Sequence, residues 1–129
     1  MQRVFVNGTF DILHPGHLAM LLFARQQGDW LLVGIDSDQR VRRLKGPGRP
    51  INNQHERQLM LEAIRWVDGV TVFDTDQELQ DLIARCDIMV KGSDYRHRPI
   101  IGGDLRPVVF FERINDYSTT KKIQDIGRR

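Results

Sequence analysis

The feature that most constrains the fold of this chain is a regular alternation of short apolar runs with amphipathic segments. The runs Arg3–Val6, Trp30–Ile35 and Gly69–Phe73 are rich in β-branched and aromatic residues, which is typical of strands buried in a parallel sheet. Two further runs of this kind are Ile88–Lys91 and Pro107–Phe111. Because helical segments separate the strands, the order predicts an α/β fold: an open, mostly parallel, five-stranded sheet with helices on both faces.

Start and stop signals mark the helical segments. Pro15 suits a first helical turn and Gly28 suits a stop, while Asn53 with Glu56 forms a capping-box pattern. By contrast, the polar and basic stretch Asp36–Asn52 is rich in glycine and proline, and we interpret it as a long loop. Helices are therefore expected over 15–27, 54–66, 75–85 and 118–126.

Length and composition narrow the class of protein. The 129 residues amount to one domain, so we expect residues 1–129 to form a single unit. A net charge of +2 is too weak for a chain whose main role is to coat nucleic acid. Cys86 is the only cysteine, which excludes an internal disulfide and suits a reducing cytoplasm. Since neither a secretory signal nor an apolar run of about 18 residues occurs, we expect a cytoplasmic protein without a membrane span.

The turn after the first strand is the first place to look for a site. In open parallel sheets, ligands bind beyond the carboxyl ends of the strands, where the strand order reverses. Here that turn reads NGTFDILHPGH, in which Gly8 permits a sharp turn or the close approach of a ligand. His14 and His17 stand three residues apart at a helix start, where imidazoles and free N–H groups can hold a phosphate. The spacing alone fits surface or capping histidines equally well.

The stretch GTFDILHPGH resembles the GTFDxxHxGH signature of the nucleotidyltransferase superfamily, in its cytidylyltransferase-like branch. Residues 65–68 (RWVD), 91–95 (KGSDY) and 117–120 (YSTT) resemble later elements of the glycerol-3-phosphate cytidylyltransferases. Residues 44–52 (LKGPGRPIN) and the KGSDY stretch resemble the adenylyltransferase domain of the heptose-phosphate enzymes. Together these matches span nearly the whole chain, and the resemblance implies a Rossmann-like sheet of the HxGH nucleotidyltransferase type.

The resemblance also implies a reaction and the residues that perform it. An acceptor phosphate attacks the α-phosphorus of a nucleoside triphosphate, whose Mg²⁺ is bound with the triphosphate rather than by protein side chains, and pyrophosphate leaves. Relatives of this size are commonly homodimers. Catalytic roles are implied for His14, His17, Lys45 and Arg113. Nucleotide contacts are implied for Gly8, Thr9, Phe10, His14, His17, Lys91, Gly92, Asp94, Arg113, Ser118 and Thr119.

The acceptor is the least defined partner, and Lys45 and Arg65 are implied as its ligands. Because the basic stretch gives the longer match, we favour ATP with a sugar phosphate such as a heptose 1-phosphate. The alternatives are a glycerol-3-phosphate cytidylyltransferase that uses CTP, a non-catalytic nucleotide-binding module and, least supported, a nucleic-acid-binding domain that uses residues 40–49. Asp11 either assists the site or only fixes the turn. Arg40, Arg42, Arg43 and residues 96–106 are left unassigned.

Overall fold

One parallel sheet organises the protein. The computed structural model describes residues 1–112, so the helix predicted over 118–126 lies outside the described residues. The strands follow the order β3-β2-β1-β4-β5, and each predicted strand is confirmed to within two residues at either end. The bounds are β1 (Arg3–Gly8), β2 (Trp30–Asp36), β3 (Gly69–Phe73), β4 (Ile88–Gly92) and β5 (Val108–Phe111).

The three predicted helices among the described residues begin within one residue of their expected starts, and one of them ends earlier than expected. The Asn53–Glu56 capping box is present, and the Thr75 hydroxyl accepts a hydrogen bond from the Glu78 N–H. The helix expected over 54–66 ends early, because successive turns bring Ile64 and Val67 against the core. The bounds are α1 (Pro15–Gln26), α2 (Asp38–Lys45), α3 (Gln54–Glu62) and α4 (Asp76–Ala84), with a single 3₁₀ turn at Ser93–Tyr95.

The prediction of a long loop over 36–52 is wrong, because α2 occupies its first half. The Ser37 hydroxyl caps α2 by accepting from the Arg40 N–H, and Val41 is fully buried. The Arg40 guanidinium forms ion pairs with Asp36 and Asp76 and is thereby anchored against the sheet. Four of the eight residues of α2 are basic, so the sequence did not indicate that Arg40 and Val41 are buried.

The alternation of side chains along the strands divides the core into two layers. Val4 and Val6 of β1 pack with Leu21 of α1 and Leu61 of α3 on one face of the sheet. Phe5, which points the opposite way, packs with the apolar side of α4. The helices therefore cover both faces of the sheet, as the sequence predicts. Cys86 lies in the second layer, and burial raises the pKa of its thiol.

The strand order locates the site. β1 is paired with β2 on one side and with β4 on the other, so the order reverses beside β1. A crevice is expected outside the carboxyl ends of β1 and β4. Across residues 1–112, none of the helices is both long and apolar enough to cross a lipid bilayer.

Candidate active site

A cleft with a volume of about 420 Å³ opens at the carboxyl edge of the sheet, above β1 and β4. The turn after β1, the start of α1, one side of α2 and the end of β4 form its walls. It brings together eight of the residues that the sequence predicted for the site. These are Gly8, Thr9, Phe10, His14, His17, Lys45, Lys91 and Gly92.

His14 and His17 stack at the start of α1, with their ring centroids 3.8 Å apart and their planes inclined by 23°. Nδ1 of His14 accepts a hydrogen bond from the Gly16 N–H (3.1 Å), and Nδ1 of His17 accepts one from the His14 N–H (3.3 Å). A neutral imidazole carries its proton on the nitrogen that does not accept, so both rings hold it on Nε2. Capping the helix thus orients two N–H donors side by side, an arrangement suited to phosphate oxygens.

The sharp turn before the histidines is made by Phe10 rather than by Gly8. Phe10 has a φ of 51°, in the left-handed region that bulky residues rarely adopt, and it is almost fully buried. A Cβ at Gly8 would lie 3.1 Å from the Phe10 ring, so the glycine leaves room for that ring. The ring centroid lies 5.3 Å from that of His17. Phe10 therefore supports the histidine pair from inside the fold, and backbone strain of this kind is often found at active sites.

Asp11 ties the turn to a distant segment. Its carboxylate accepts hydrogen bonds from the backbone N–H groups of Ile51 and Asn52, both at 2.8 Å, and lies 3.5 Å from Nε of Arg49. The side chain of Asp11 is fully buried. The carboxylate therefore binds backbone N–H groups, as one reading of the sequence expected, but these belong to the segment that follows α2 and precedes α3.

The end of α2 places a cation at the cleft. Lys45 lies in its last turn and lines the cleft. Partial burial lowers the pKa of the Lys45 ammonium below its ordinary value, and Arg49 lowers it further, against the opposing effects of Asp36 and Asp11. A point charge on a long side chain suits a phosphate that must be bound and then released.

Two arginines of α2, Arg40 and Arg43, have structural contacts. Nε of Arg40 lies 2.8 Å from Asp36 Oδ1, and its Nη2 lies 2.9 Å from Asp76 Oδ1. Arg43 donates to the Asp74 carbonyl oxygen at 2.8 Å. These contacts hold α2 against the carboxyl ends of β2 and β3, so they position Lys45 over the cleft.

Lys91 stands at the end of β4, inside the cleft. Its Nζ donates a hydrogen bond to Asn7 Oδ1 at 2.9 Å and lies 4.7 Å above the ring of Tyr95. Burial lowers the pKa of the Lys91 ammonium to about 8, although Asp36 and Asp94 act in the opposite direction. Near neutral pH Lys91 is therefore a partly buried cation, which a bound anion would stabilise.

Several predicted residues are not brought to the cleft. Asp94 lies in the 3₁₀ turn after β4, is exposed, and has Arg98 within 3.6 Å. Arg65 is exposed in the turn that leads into β3, at the amino edge of the sheet and away from the cleft. Its implied contact with the acceptor thus has no support from this geometry. Arg113, Ser118 and Thr119 lie outside the described residues.

The sequence did not indicate a role for Arg57, which binds backbone groups at the carboxyl edge of the sheet. It is 1% exposed, and Nη1 donates to the backbone carbonyls of Thr9 (2.9 Å) and Asp36 (2.8 Å). Its Nε donates to the Asn52 carbonyl, and its Nη2 pairs with Asp38 at 2.8 Å. Arg57 thereby joins the ends of β1 and β2. A basic residue inside an amphipathic helix gave no signal of this burial.

Comparison with known proteins agrees with the fold and the motifs. A model of a family described as cytidylyltransferase-like matches residues 5–124. The bifunctional protein HldE of Hyphomonas neptunium is 51% identical over 102 residues, which cover 78% of this chain and 21% of that protein. HldE of Campylobacter concisus is 44% identical over 128 residues, covering 95% of this chain and 27% of that protein. The chain thus spans about a quarter of the length of these relatives.

Solved structures share the architecture. The lipopolysaccharide core biosynthesis protein of Thermoplasma volcanium superposes with a TM-score of 0.74 at 25% identity, covering 89% of this chain and 99% of that one. A bifunctional NMN adenylyltransferase/ADP-ribose pyrophosphatase of Francisella tularensis, complexed with AMP and a manganese ion, gives 0.68 at 17% identity. That alignment covers 98% of this chain and 42% of the other, and at this identity it shows the fold alone.

Proposed function

This chain belongs to the cytidylyltransferase-like family of nucleotidyltransferases, and from that premise we propose that it adenylylates a sugar phosphate. The reaction joins ATP to an acceptor such as a heptose 1-phosphate and releases pyrophosphate. The observation that carries the proposal is the stacked His14–His17 pair, which lines the same cleft as two lysines. A triphosphate requires this combination of oriented donors and cations.

The chemistry needs little beyond this cleft. A phosphate oxygen of the acceptor attacks the α-phosphorus, a new P–O bond forms, and the bond to the β-phosphate bridging oxygen breaks with its electron pair leaving on pyrophosphate. The nucleophile is already an anion at neutral pH, so no general base has to remove a proton. Catalysis then consists of positioning and of neutralising charge. His14 and His17 hold the α- and β-phosphate oxygens, and Lys45 closes over them from α2.

Mg²⁺ enters in this scheme with the nucleotide, as part of the MgATP substrate. Residues 1–112 contain no group of three or more His, Cys, Asp or Glu side chains arranged to hold a metal ion. Mg²⁺ keeps several waters and binds readily to substrate phosphates, so it needs no protein cage here. It supplies charge neutralisation on the phosphates, while the two histidines and Lys45 orient them.

The choice of acceptor draws on two similarities. Residues 44–52 resemble the adenylyltransferase domain of the heptose-phosphate enzymes, and they contain Lys45 and the segment that Asp11 holds. A structural neighbour at 25% identity is a lipopolysaccharide core biosynthesis protein, which supports a sugar acceptor. Among the elements that resemble the glycerol-3-phosphate cytidylyltransferases is the RWVD stretch, and its Arg65 is remote from the cleft. The sugar phosphate is therefore the better candidate.

Pyrophosphate release provides the test. ATP, CTP, GTP and UTP are each combined with Mg²⁺ and with heptose 1-phosphate, mannose 1-phosphate or glycerol 3-phosphate. We expect ATP with an aldose 1-phosphate to give the highest kcat/KM, and chelation of Mg²⁺ by EDTA to abolish turnover. Nucleotide binding without turnover on any acceptor would favour a non-catalytic module, and preference for CTP with glycerol 3-phosphate would favour the cytidylyltransferase alternative.

We propose that residues 1–129 act as one catalytic unit, that it functions as a homodimer, and that it works in the cytoplasm, where ATP is made. Light scattering of the purified chain measures its mass in solution. A mass near 30 kDa, about twice that of the 15.0 kDa chain, would support the dimer, and a mass near that of one chain would refute it.

A further inference from the structure

Three polar side chains from neighbouring strands lie together on one face of the sheet. Asn7 follows Phe5 by two positions in β1, and Lys91 follows Met89 by two positions in β4, so both point to the α4 side, where Phe5 and Met89 pack. Asp36 is the last residue of β2. Its side chain is on the same face of the sheet as that of Leu32, which also packs on the α4 side. We call Asn7, Asp36 and Lys91 the polar cluster.

Lys91 and Asn7 are hydrogen-bonded to each other and Asp36 is bonded to neighbouring residues, yet the polar cluster faces the cleft. Lys91 donates to the Asn7 side-chain oxygen at 2.9 Å, and all three residues line the cleft. Asp36 is 9% exposed and accepts hydrogen bonds from Arg40 Nε at 2.8 Å and from the Thr9 hydroxyl at 3.3 Å. A carboxylate offers about four acceptor positions, so Asp36 retains capacity for further donors.

The polar cluster and the histidines belong to opposite sides of the sheet. His14 and His17 are carried by α1, whose Leu21 packs in the layer of Val4 and Val6. The polar cluster lies on the other side, where Leu79 of α4 and Ile100 add an apolar wall to the cleft. The cleft therefore has a histidine lobe and a second lobe, the α4 lobe, which meet above the ends of β1 and β4.

Electrostatics separates the two lobes further. A buried carboxylate such as Asp36 repels a triphosphate, but it is a good acceptor for neutral hydroxyl groups. The ammonium of Lys91, held in a partly buried position, is stabilised by an adjacent anion such as a monophosphate. Apolar side chains opposite these groups match the C–H faces of a sugar ring. The α4 lobe thus suits a polyhydroxylated monophosphate better than a nucleotide.

We propose that the polar cluster is the acceptor subsite, in which Lys91 binds the attacking phosphate while Asp36 and Asn7 bind hydroxyl groups of the sugar. The proposal rests on the proposed function and extends it, since it moves Lys91 from the nucleotide to the acceptor and adds two specificity-determining residues. The acceptor phosphate then lies between Lys91 and the histidine lobe, on the side from which it can attack the α-phosphorus. Short polyol phosphates leave the α4 lobe partly empty and bind weakly.

The first experiment measures acceptor binding without turnover. Calorimetry follows the binding of mannose 1-phosphate to the chain saturated with Mg²⁺ and α,β-methylene-ATP, and separately the binding of that nucleotide analogue alone. In Lys91→Gln we expect the acceptor Kd to rise about 10–100-fold, as for the loss of a charged hydrogen bond, and the nucleotide Kd to change less than about threefold. Arg85→Gln removes an exposed cation at the end of α4, and both constants should stay at wild-type values.

The second experiment tests the hydroxyl contacts. Mannose 1-phosphates that each lack one hydroxyl are bound to wild type, Asn7→Ala and Asp36→Asn under the same conditions. At least one deoxy analogue should bind about tenfold more weakly than mannose 1-phosphate to wild type. To Asp36→Asn that analogue should bind no more weakly than mannose 1-phosphate does, because the analogue and the variant each remove the same hydrogen bond. Since Asp36 also anchors Arg40, Asn7→Ala provides the independent variant, and its acceptor Kd should rise at least about threefold.

The outcomes separate the two proposals. Equal losses of acceptor and nucleotide affinity in Lys91→Gln, or unchanged acceptor affinity in both Lys91→Gln and Asn7→Ala, would overturn the acceptor subsite. If wild type binds mannose 1-phosphate in a Lys91-dependent manner but releases no pyrophosphate with any nucleotide, the subsite stands and the proposed function fails. Wild-type protein that binds no sugar phosphate even in the presence of the analogue overturns the subsite directly.

Discussion

Asn52 holds Asp11 through two groups: its backbone N–H donates to Asp11 Oδ1 and its side-chain amide donates to the Asp11 carbonyl oxygen, both at 2.8 Å. The two residues are 41 positions apart in the chain. Asp11 belongs to the turn that carries the histidines, and Asn52 belongs to the segment between α2 and α3. This contact therefore fixes the histidine lobe relative to the helix that carries Lys45.

Removal of the Asp11 carboxylate should destabilise the fold and slow the reaction. Asp11→Ala leaves the N–H groups of Ile51 and Asn52 without their acceptor and Arg49 without its counter-charge, so the free energy of unfolding should fall by about 2–4 kcal/mol. Urea unfolding measures this change. Asp104→Ala, at an exposed position, should change stability by less than about 0.5 kcal/mol. Equal stability of the two variants would refute the stabilising role of the Asp11 contacts.

The histidine pair should act mainly on kcat. His17→Ala removes one Nε2–H donor, and kcat for pyrophosphate release should fall about 10²–10³-fold, as for the loss of one donor to developing charge. His14→Asn keeps a side-chain acceptor for the helix cap but removes the imidazole donor, so it should lose similar activity with little loss of stability. His55→Ala, on the exposed side of α3, is the matched control. Wild-type kcat in His14→Asn would contradict the mechanism.

Lys45 and Arg42 lie on one short helix but should differ in their effect on activity. Both side chains are exposed, but of the two only Lys45 lines the cleft. Lys45→Gln should lower kcat/KM about 100-fold through loss of a charged phosphate contact of about 3 kcal/mol. Arg42→Gln removes the same charge from the same helix and should stay within about threefold of wild type. Steady-state kinetics decides, and similar losses in both variants would indicate a general effect of charge.

Arg57 should be essential to the shape of the cleft although it does not line it. Arg57→Met leaves the carbonyls of Thr9, Asp36 and Asn52 without a donor, so stability should fall by about 3–5 kcal/mol. Arg57→Lys retains the charge but not the planar guanidinium with its several N–H donors. The lysine variant should therefore be only partly more stable than Arg57→Met. Thermal melting gives the comparison. Full recovery by lysine would show that charge alone matters at this position.

Lys91 should make the stability of the protein depend on pH in the alkaline range. Its folded pKa of about 8 lies below the unfolded value near 10.5, so between these values the unfolded chain binds more protons. Stability then rises with pH across that window, because the buried ammonium loses its unfavourable charge. Wild type should therefore gain stability relative to Lys91→Met between about pH 8 and pH 10. Urea midpoints of the two proteins measure the difference, and a constant difference would exclude a lowered pKa.

Much of the fold and the histidine pair of the site could be predicted from the sequence, because the patterns that indicate them involve residues close together in the chain. The alternation of β-branched runs with capped helices depends on neighbouring residues, and all five strands follow from it. His14 and His17 are three positions apart on a helix, so their proximity is a property of the backbone. The short helix α2 was missed because its stability comes from ion pairs with Asp36 and Asp76, one of them 36 residues further along the chain.

The remaining features depend on which strands lie side by side. Asn7 and Lys91 are 84 positions apart, and only the pairing of β1 with β4 brings their side chains within hydrogen-bonding distance. Arg57 is buried because three carbonyl groups from separate segments converge on it, which no local pattern records. The sequence by itself determined the strand-helix order, the helix caps and the paired histidines, because each depends on short-range backbone geometry. The tertiary structure alone decided the two lobes of the cleft and the partners of its buried charges, because those depend on strand order and on long-range packing.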